Sequence, residues 1–199
     1  MTRFKRLLVL VCLAVTGGAF AAQPGDKVAN FTLTDHLGVS HELYKYADKE
    51  AVVLFVQGNG CPIARNHIHT YAELRDQYKN KNIAFLMINS NLQDSQKSIA
   101  KEAAEFKIDF PILVDAEQKV GEALHFERTA DTFVINTKDW TIAYRGALDD
   151  RLGYETQKFE SNHHYVADAL DAVMADKPVE ITAVEAKGCL VNIPALAGG

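Results

Sequence analysis

Two uninterrupted apolar runs stand out in the first half of the chain. Residues Ala51 to Val56 and Ile83 to Ile88 are all apolar, which is typical of strands buried on both faces of a sheet that is at least partly parallel. Between them, apolar residues spaced three and four positions apart predict a helix from Pro62 to about Tyr78. A strand, a helix and a second strand in this order indicate one parallel crossover unit.

The remaining pattern adds shorter elements on both sides of this unit. Residues 31–38 predict a small N-terminal β-hairpin. Asp94 is placed to cap a second helix, whose apolar face we predict to be Ile99, Ala103 and Phe106. The other predicted elements are an extended segment at 110–114, a short helix at 117–124, a hairpin over 132–145 and a last helix at 162–174. This order predicts an α/β fold, a mixed β-sheet with helices on both faces and an N-terminal β-hairpin extension.

The N-terminal residues have the pattern of a targeting segment. Arg3, Lys5 and Arg6 precede a short apolar run, and Ala19-Phe20-Ala21 forms a cleavage site of small residues. The run is shorter than the roughly 20 residues needed to span a bilayer. We therefore predict a signal peptide over residues 1–21, a periplasmic or secreted mature chain, and no stable membrane insertion after cleavage.

Length and charge narrow the possible functions. The chain has 199 residues and a formal net charge of −5, and 48% of its residues are apolar. This length fits one soluble globular domain, which we place at residues 22–176, followed by a C-terminal tail at 177–199 that carries Cys189. The acidic balance argues against nucleic acid as a partner, because nucleic acid selects clustered Lys and Arg.

Cys61 is the residue best placed for chemistry. It follows a buried strand and the loop 58–60, and Pro62 suits the first helical position, so Cys61 falls at the helix N-cap. The thiolate is the reactive form of cysteine, and a helix N-terminus favours an anion by about 0.3–2 kcal/mol. Arg65, one turn further on, is the nearest cation that could add to this effect. Because glycines flank its approach, we expect the Cys61 thiol to be accessible as well as substantially anionic.

Three segments of the chain resemble one known family. They are Gly58-Asn59-Gly60-Cys61-Pro62-Ile63-Ala64-Arg65, then Thr132-Phe133-Val134-Ile135-Asn136, then Ile142-Ala143-Tyr144-Arg145-Gly146-Ala147-Leu148-Asp149-Asp150. Together they are similar to the thioredoxin-like redoxin group, which includes alkyl hydroperoxide reductase, thiol-specific antioxidant and exported thiol–disulfide oxidoreductases. The resemblance implies a thioredoxin-like fold, an antioxidant or thiol–disulfide exchange activity, and Cys61 as the attacking thiol.

Some positions depart from the patterns of this group. Ala64 occupies the second cysteine position of Cys-x-x-Cys, so no neighbouring thiol can resolve an intermediate at Cys61. Leu54 and Gly58 replace the Pro and Thr of the peroxiredoxin pattern Pro-x-x-x-Thr-x-x-Cys, which favours general thiol redox chemistry over a dedicated peroxidase. Ala130 stands where members place a cis-proline. Since a non-proline cis bond costs about 2.5–4 kcal/mol, we expect a trans peptide there.

Cys189 is the second cysteine of the predicted mature chain. Its Gly-Cys-Leu-Val segment is similar to the tails of redoxin-domain proteins, and a tail thiol could resolve a mixed disulfide or a sulfenic acid at Cys61. A structural disulfide and an independent thiol remain open as alternatives. The sequence contains no phosphate-binding glycine motif, so we predict no cofactor. The substrate would be a peroxide or a disulfide, and electrons would come from an external thiol reductant such as another thioredoxin-like protein.

Two other functions compete with this prediction. The first is a copper or zinc carrier of the same fold, with Cys61 as one ligand and others among His67, His69, Cys189 and the pair at 163–164. His67 and His69 are two positions apart and point to different helix faces, His67 toward the buried stripe and His69 toward solvent. The second is a redox-inert binding module in which Cys61 is simply packed.

Overall fold

The computed structural model describes residues 22–154 and 157–196. The strands are β1 Thr32–Thr34, β2 Ser40–Glu42, β3 Ala51–Val56, β4 Ile83–Asn89, β5 Ile112–Val114, β6 Thr132–Asn136, β7 Thr141–Gly146 and β8 Ala183–Val184. The helices are α1 Pro62–Gln77, α2 Gln96–Glu105, α3 Lys119–Ala123 and α4 Tyr165–Met174. Within these ranges no helix has the length and apolar character needed to cross a membrane. The predicted signal peptide, residues 1–21, lies outside the described residues.

Six of the strands form one mixed sheet in the order β5-β4-β3-β6-β7-β8. Strands β3, β4 and β5 are parallel, β6 runs antiparallel to β3, β7 antiparallel to β6, and β8 parallel to β7. The central strand β3 is buried along its whole length, which explains its uninterrupted apolar run. Strands β1 and β2 form a separate antiparallel hairpin. The predicted mixed sheet and N-terminal hairpin are confirmed.

Alternating side chains of the sheet belong to two cores. Val53 and Phe55 of β3 face a core that includes residues of α1, α2 and α4. Val52 and Leu54 face a second core that includes residues of α3 and of the N-terminal segment. Because successive side chains of a strand point to opposite faces, one apolar run serves both cores. Helices therefore cover both faces of the sheet, as predicted.

Two local features differ from the sequence prediction. Ser95, rather than Asp94, caps α2, since its hydroxyl accepts the Ser98 N–H at 3.2 Å. The segment after residue 176 contributes strand β8, which joins the main sheet beside the end of β7. Gly146 permits this pairing, because a Cβ there would lie 1.8 Å from the carbonyl oxygen of Val184. The predicted boundary between the domain and the tail, after residue 176, thus divides the main sheet, because β8 follows that boundary.

The topology brings three distant segments to one end of the sheet. Because β6 is antiparallel to β3, its first residues lie beside the last residues of β3: Phe55 pairs with Thr132, and the Ala130 N–H donates to the Val56 carbonyl at 2.7 Å. The end of β7 lies beside the start of β6, and β8 runs parallel to β7. The chain after β8 therefore arrives at the same end of the sheet as the loop that carries Cys61.

A buried ion pair fastens this end of the sheet. The Arg145 guanidinium donates to Asp131 Oδ2 at 2.9 Å, to the Ala22 carbonyl at 2.9 Å and to the His125 carbonyl at 2.7 Å. Burial raises the pKa of Asp131 to about 6, while the positive charge of Arg145 opposes the rise. The pair is therefore largely ionised at neutral pH, and each charge depends on its partner for compensation.

Removing the carboxylate of this pair should lower the stability of the fold far more than removing an exposed carboxylate. We expect Asp131→Ala to lower the free energy of unfolding by roughly 3–5 kcal/mol, because Arg145 would keep a buried charge without its partner. Glu127→Ala removes an exposed carboxylate four residues earlier and should cost less than about 1 kcal/mol. Urea unfolding at pH 7 measures both, and equal effects would contradict the stabilising role of the pair.

Candidate active site

Cys61 is the N-cap of α1, and Pro62 occupies the first helical turn, as predicted. The Cys61 sulfur accepts a hydrogen bond from the Ala64 N–H at 3.4 Å. At this position the Ala64 N–H and the positive end of the helix dipole stabilise an anion on the sulfur. Gly60, immediately before it, has φ +78°, a left-handed conformation that glycine adopts without strain.

Thr129 joins Cys61 to the C-terminal segment. Its hydroxyl donates to Cys61 Sγ at 3.0 Å and accepts the backbone N–H of Cys189 at 2.9 Å. The Thr129 backbone N–H in turn donates to the Cys189 carbonyl oxygen at 2.8 Å. One residue therefore contacts both cysteines and fixes their relative position.

Ala130 follows Thr129 through a trans peptide bond, as predicted. Its φ is +61°, a left-handed conformation that costs a non-glycine residue roughly 1–2 kcal/mol. The strain is held by the hydrogen bond from its N–H to the Val56 carbonyl. The turn at Ala130 thus links the last residue of β3 to the residue that contacts Cys61.

The segment carrying Cys189 pairs with the loop before β6. Arg128 and Leu190 form an antiparallel bridge, and the Val191 N–H donates to the Glu127 carbonyl at 2.9 Å. This part of the predicted tail is therefore held by a single antiparallel bridge. Its pairing places Cys189 beside the loop that contacts Cys61.

Close packing also fixes the chain around Cys189. Gly188 lies so near Thr129 that a Cβ on it would be 1.7 Å from the Thr129 carbonyl oxygen. Beyond the cysteine, Val191 and Ile193 are buried in the second core. Glycine is required at position 188, and packing on both sides limits how far Cys189 can move.

The two thiols have opposite pKa shifts. Burial raises the pKa of Cys61, but hydrogen bonds from the Cys189 thiol, the Thr129 hydroxyl and the Ala64 N–H outweigh burial, so its pKa is lowered from the ordinary value. Burial, the hydrogen bond to Cys61 and the negative charge of Cys61 raise the pKa of Cys189 to about 11. Both cysteines are free thiols in this structure. Of the two thiols, Cys61 therefore ionises first, and Cys189 keeps its proton while Cys61 is a thiolate.

The two cysteines also differ in exposure. Cys61 is only 3% exposed, whereas Cys189 is exposed. The expectation that Cys61 is accessible is therefore wrong. The physical reason is that Thr129, which the local sequence around Cys61 does not reveal, packs directly on the sulfur.

Arg65 is paired with a carboxylate of α2. Its Nη2 and Nε donate to Glu102 at 2.9 and 3.2 Å, and its guanidinium lies 4.3 Å from the ring centre of Phe106. Glu102 is buried and also accepts the Gly60 N–H, at 3.0 and 3.1 Å, so that N–H is not free. The hydrogen bond to Glu102 raises the pKa of Arg65, and the charge of Cys61 adds to the rise. A supporting role of Arg65 for the thiolate stays a prediction.

Two acidic residues that the sequence pattern did not assign to the site anchor the loop before Cys61. Besides Glu102, Asp94 accepts the Asn59 N–H at 3.0 Å and the side-chain amides of Asn89 and Asn91 at 2.9 and 3.1 Å. The only sequence signal for Glu102 was a charged residue on the apolar face of α2, next to Ala103. For Asp94, the signal pointed instead to a helix cap.

The two α1 histidines considered as metal ligands have different surroundings. His67 is buried against Phe55, and burial lowers its pKa to about 4. His69 is exposed and lies 3.2 Å from Glu73. In the described ranges, no group of three or more His, Cys, Asp or Glu side chains is arranged to hold a metal ion. The structure thus adds no support for a metal carrier.

Known proteins resemble this chain in sequence and in fold. A family model described as the AhpC/TSA family matches residues 24–145. Thiol-disulfide oxidoreductase ResA of Geobacillus kaustophilus (strain HTA426) is 29% identical over 141 residues, which are 66% of this chain and 79% of that protein. The crystal structure of an uncharacterized conserved protein from Geobacillus kaustophilus has a TM-score of 0.76 at 28% identity and covers 85% of this chain and 92% of its own. The crystal structure of a hypothetical protein from Sinorhizobium meliloti 1021 also has a TM-score of 0.76, at 25% identity, and the match covers 86% of this chain and 95% of that chain.

Thr129→Val should raise the pKa of Cys61 by roughly one to two pH units, because a hydrogen bond to a charged group contributes about 1.5–3 kcal/mol. The pH dependence of iodoacetamide alkylation at Cys61, followed by peptide mass analysis, measures the change. Thr132→Val is the matched control, since the buried Thr132 hydroxyl makes no hydrogen bond in the described structure. Thr129→Ser keeps the donor and should keep the low pKa. An unchanged profile in Thr129→Val would show that this hydroxyl does not stabilise the thiolate.

Cys61→Ala should lower the pKa of Cys189 from about 11 toward the ordinary thiol value of about 8.5. The substitution removes both the hydrogen-bond acceptor and the negative charge that hold the proton on Cys189, while the backbone contacts of Cys189 remain. Alkylation of Cys189 as a function of pH measures the shift. A value that stays near 11 would mean that burial alone sets it.

Proposed function

Because this chain belongs to the AhpC/TSA family, we propose that it is a thiol–disulfide oxidoreductase in which Cys61 is the attacking thiol and Cys189 the resolving thiol. The observation that supports this most directly is the Thr129 hydroxyl, which donates to Cys61 Sγ and accepts the Cys189 N–H and so holds the two cysteines side by side. A low-pKa thiolate beside a second thiol is the arrangement that two-step disulfide exchange needs.

The proposed reaction transfers two electrons to a substrate disulfide. Because Cys61 is buried, the substrate must first displace part of the packing over its sulfur. The Cys61 thiolate then attacks one substrate sulfur, the substrate S–S bond breaks, and one substrate thiolate leaves. Cys189 then loses its proton and attacks Cys61 Sγ, releasing the second substrate sulfur as a thiolate and forming the Cys61–Cys189 disulfide. The two thiolates take up protons, so the substrate is reduced to two thiols and the two cysteines are oxidised.

The pKa shifts support this order of events. The negative charge of Cys61 and its hydrogen bond help to raise the pKa of Cys189. Once Cys61 is part of a mixed disulfide, both influences vanish and the pKa of Cys189 falls. Cys189 therefore becomes nucleophilic at the step that requires it and stays protonated before that step.

Regeneration would use an external thiol reductant, such as another thioredoxin-like protein. Cys189 is the exposed sulfur of the pair and is the one that an incoming thiolate can reach. Attack there releases Cys61, whose lower pKa makes it the better leaving group. A second thiol of the reductant then frees Cys189 and retains the new disulfide, so no cofactor is required.

Export is part of the proposal. Cleavage after residue 21 would leave the domain at 22–176 and the tail at 177–199 in the periplasm or outside the cell, where disulfides persist. The support is the charged, apolar and small-residue pattern of the first 21 residues. Such a compartment supplies both disulfide substrates and protein reductants.

A disulfide is the favoured substrate over a peroxide. Gly58 stands where the peroxiredoxin pattern has a threonine, and a Cβ there would lie 2.5 Å from Asn91 Nδ2. A larger residue with a hydroxyl would not fit at that position without displacing Asn91. A rate constant for hydrogen peroxide with Cys61 above about 10⁴ M⁻¹s⁻¹, in the range of competent enzymes, would reverse this choice.

A single-turnover reaction with oxidised glutathione tests the proposed roles. When one equivalent of oxidised glutathione reacts with the reduced wild-type chain lacking residues 1–21, two glutathione thiols should form, because Cys189 displaces the glutathione bound to Cys61. Cys189→Ser should release one thiol and retain one glutathione on Cys61, since serine cannot complete the exchange. Thiol release and peptide mass mapping measure both. Wild-type protein that keeps glutathione on Cys61 and forms no internal disulfide would refute the assignment of Cys189.

A further inference from the structure

Two side chains from separate segments converge on the carbonyl group next to Cys189. The Tyr154 hydroxyl donates to the Gly188 carbonyl oxygen at 2.9 Å, and Arg128 Nη1 donates to the same oxygen at 3.3 Å. The Arg128 guanidinium lies over the Tyr154 ring, 5.8 Å from its centre. We call these two side chains and the carbonyl they hold the Gly188 clamp.

The clamp acts on the peptide group that leads directly into the candidate resolving cysteine. The Gly188 carbonyl and the Cys189 N–H belong to one planar peptide. The clamp holds the carbonyl, and the Thr129 hydroxyl accepts the N–H at 2.9 Å. Because both polar groups of this peptide are held, the direction in which the Cys189 side chain leaves the backbone is restricted.

Tyr154 contributes little to the packing of the domain. Its side chain lies on the loop after β7 and is 57% exposed, so its main contribution at this place is the hydroxyl donor. Ala186 and Val191, on either side of the cysteine, are themselves buried. Loss of the clamp would therefore loosen Gly188 and Cys189 without detaching the whole segment.

We propose that Tyr154 and Arg128 are positioning residues that set how readily Cys189 closes onto Cys61, and hence the reduction potential of the pair. This inference rests on the proposed function, because it requires the two cysteines to form a disulfide. Through the clamp, the loop after β7 changes the reduction potential of the cysteine pair, although it contributes no reacting atom.

The physical basis is the effective concentration of one thiol at the other. When oxidised glutathione is reduced to two glutathione thiols, Cys61 and Cys189 lose two electrons, pass two protons to glutathione and form one disulfide. The equilibrium depends on how well Cys189 is placed before the ring closes. A less constrained Cys189 loses more conformational freedom on closure, so the disulfide is less favoured and the potential is higher.

Titration of the mature chain with glutathione redox buffers tests the proposal. Tyr154→Phe removes only the hydroxyl and should lower the equilibrium constant for disulfide formation roughly three- to tenfold, the range of one hydrogen bond. Adding Arg128→Gln should lower it further. Phe159→Ala is the matched control, because Phe159 lies in the same loop and is 96% exposed, and it should leave the constant unchanged. Thermal unfolding of the reduced proteins checks that every variant is folded.

The outcomes separate this proposal from the proposed function. If wild-type protein forms the disulfide and both clamp variants have its equilibrium constant, the clamp has no positioning role and the proposed function stands. An equal fall in Phe159→Ala would also overturn the proposal, because the effect would then belong to the loop in general. Wild-type protein that forms no internal disulfide would overturn both proposals.

Discussion

The candidate site depends on one hydroxyl group placed between two cysteines that are far apart in the sequence. Thr129 donates to Cys61 Sγ at 3.0 Å and accepts the Cys189 N–H at 2.9 Å. Without this contact, only the Cys189 thiol, the Ala64 N–H and the helix dipole would offset the cost of burying a charged sulfur, and the dipole supplies no more than about 2 kcal/mol. With it, a buried thiolate is stabilised beside a second thiol.

The sheet topology makes this contact possible. An antiparallel β6 puts the loop before it beside the end of β3, and a parallel β8 directs the C-terminal segment to the same place. The glycines at 146 and 188 allow the backbones to approach closely enough for these pairings. The buried Arg145–Asp131 pair then fastens β7 to the start of β6. The sulfur chemistry is thus built on sheet pairing and not on local sequence alone.

The extent to which the sequence predicted this structure follows from the range of the interactions. Cys61 at the helix N-cap could be predicted because a buried strand, a glycine loop and Pro62 are neighbours in sequence. The contact of Thr129 with Cys61 could not, since 68 residues separate them and only the pairing of β6 with β3 joins them. The paired edge segment at Cys189 was missed for the same reason, because its partners are residues 127–129 rather than a local turn.

The most direct test of the account is the ionisation of the two thiols in the reduced wild-type chain. Nuclear magnetic resonance of ¹³Cβ-labelled cysteine follows each thiol separately as the pH is raised. We expect two well-separated transitions, with the pKa of Cys61 below that of an ordinary thiol and the pKa of Cys189 near 11. Two thiols that ionise together at the ordinary value would contradict the opposite pKa shifts on which the proposed chemistry depends.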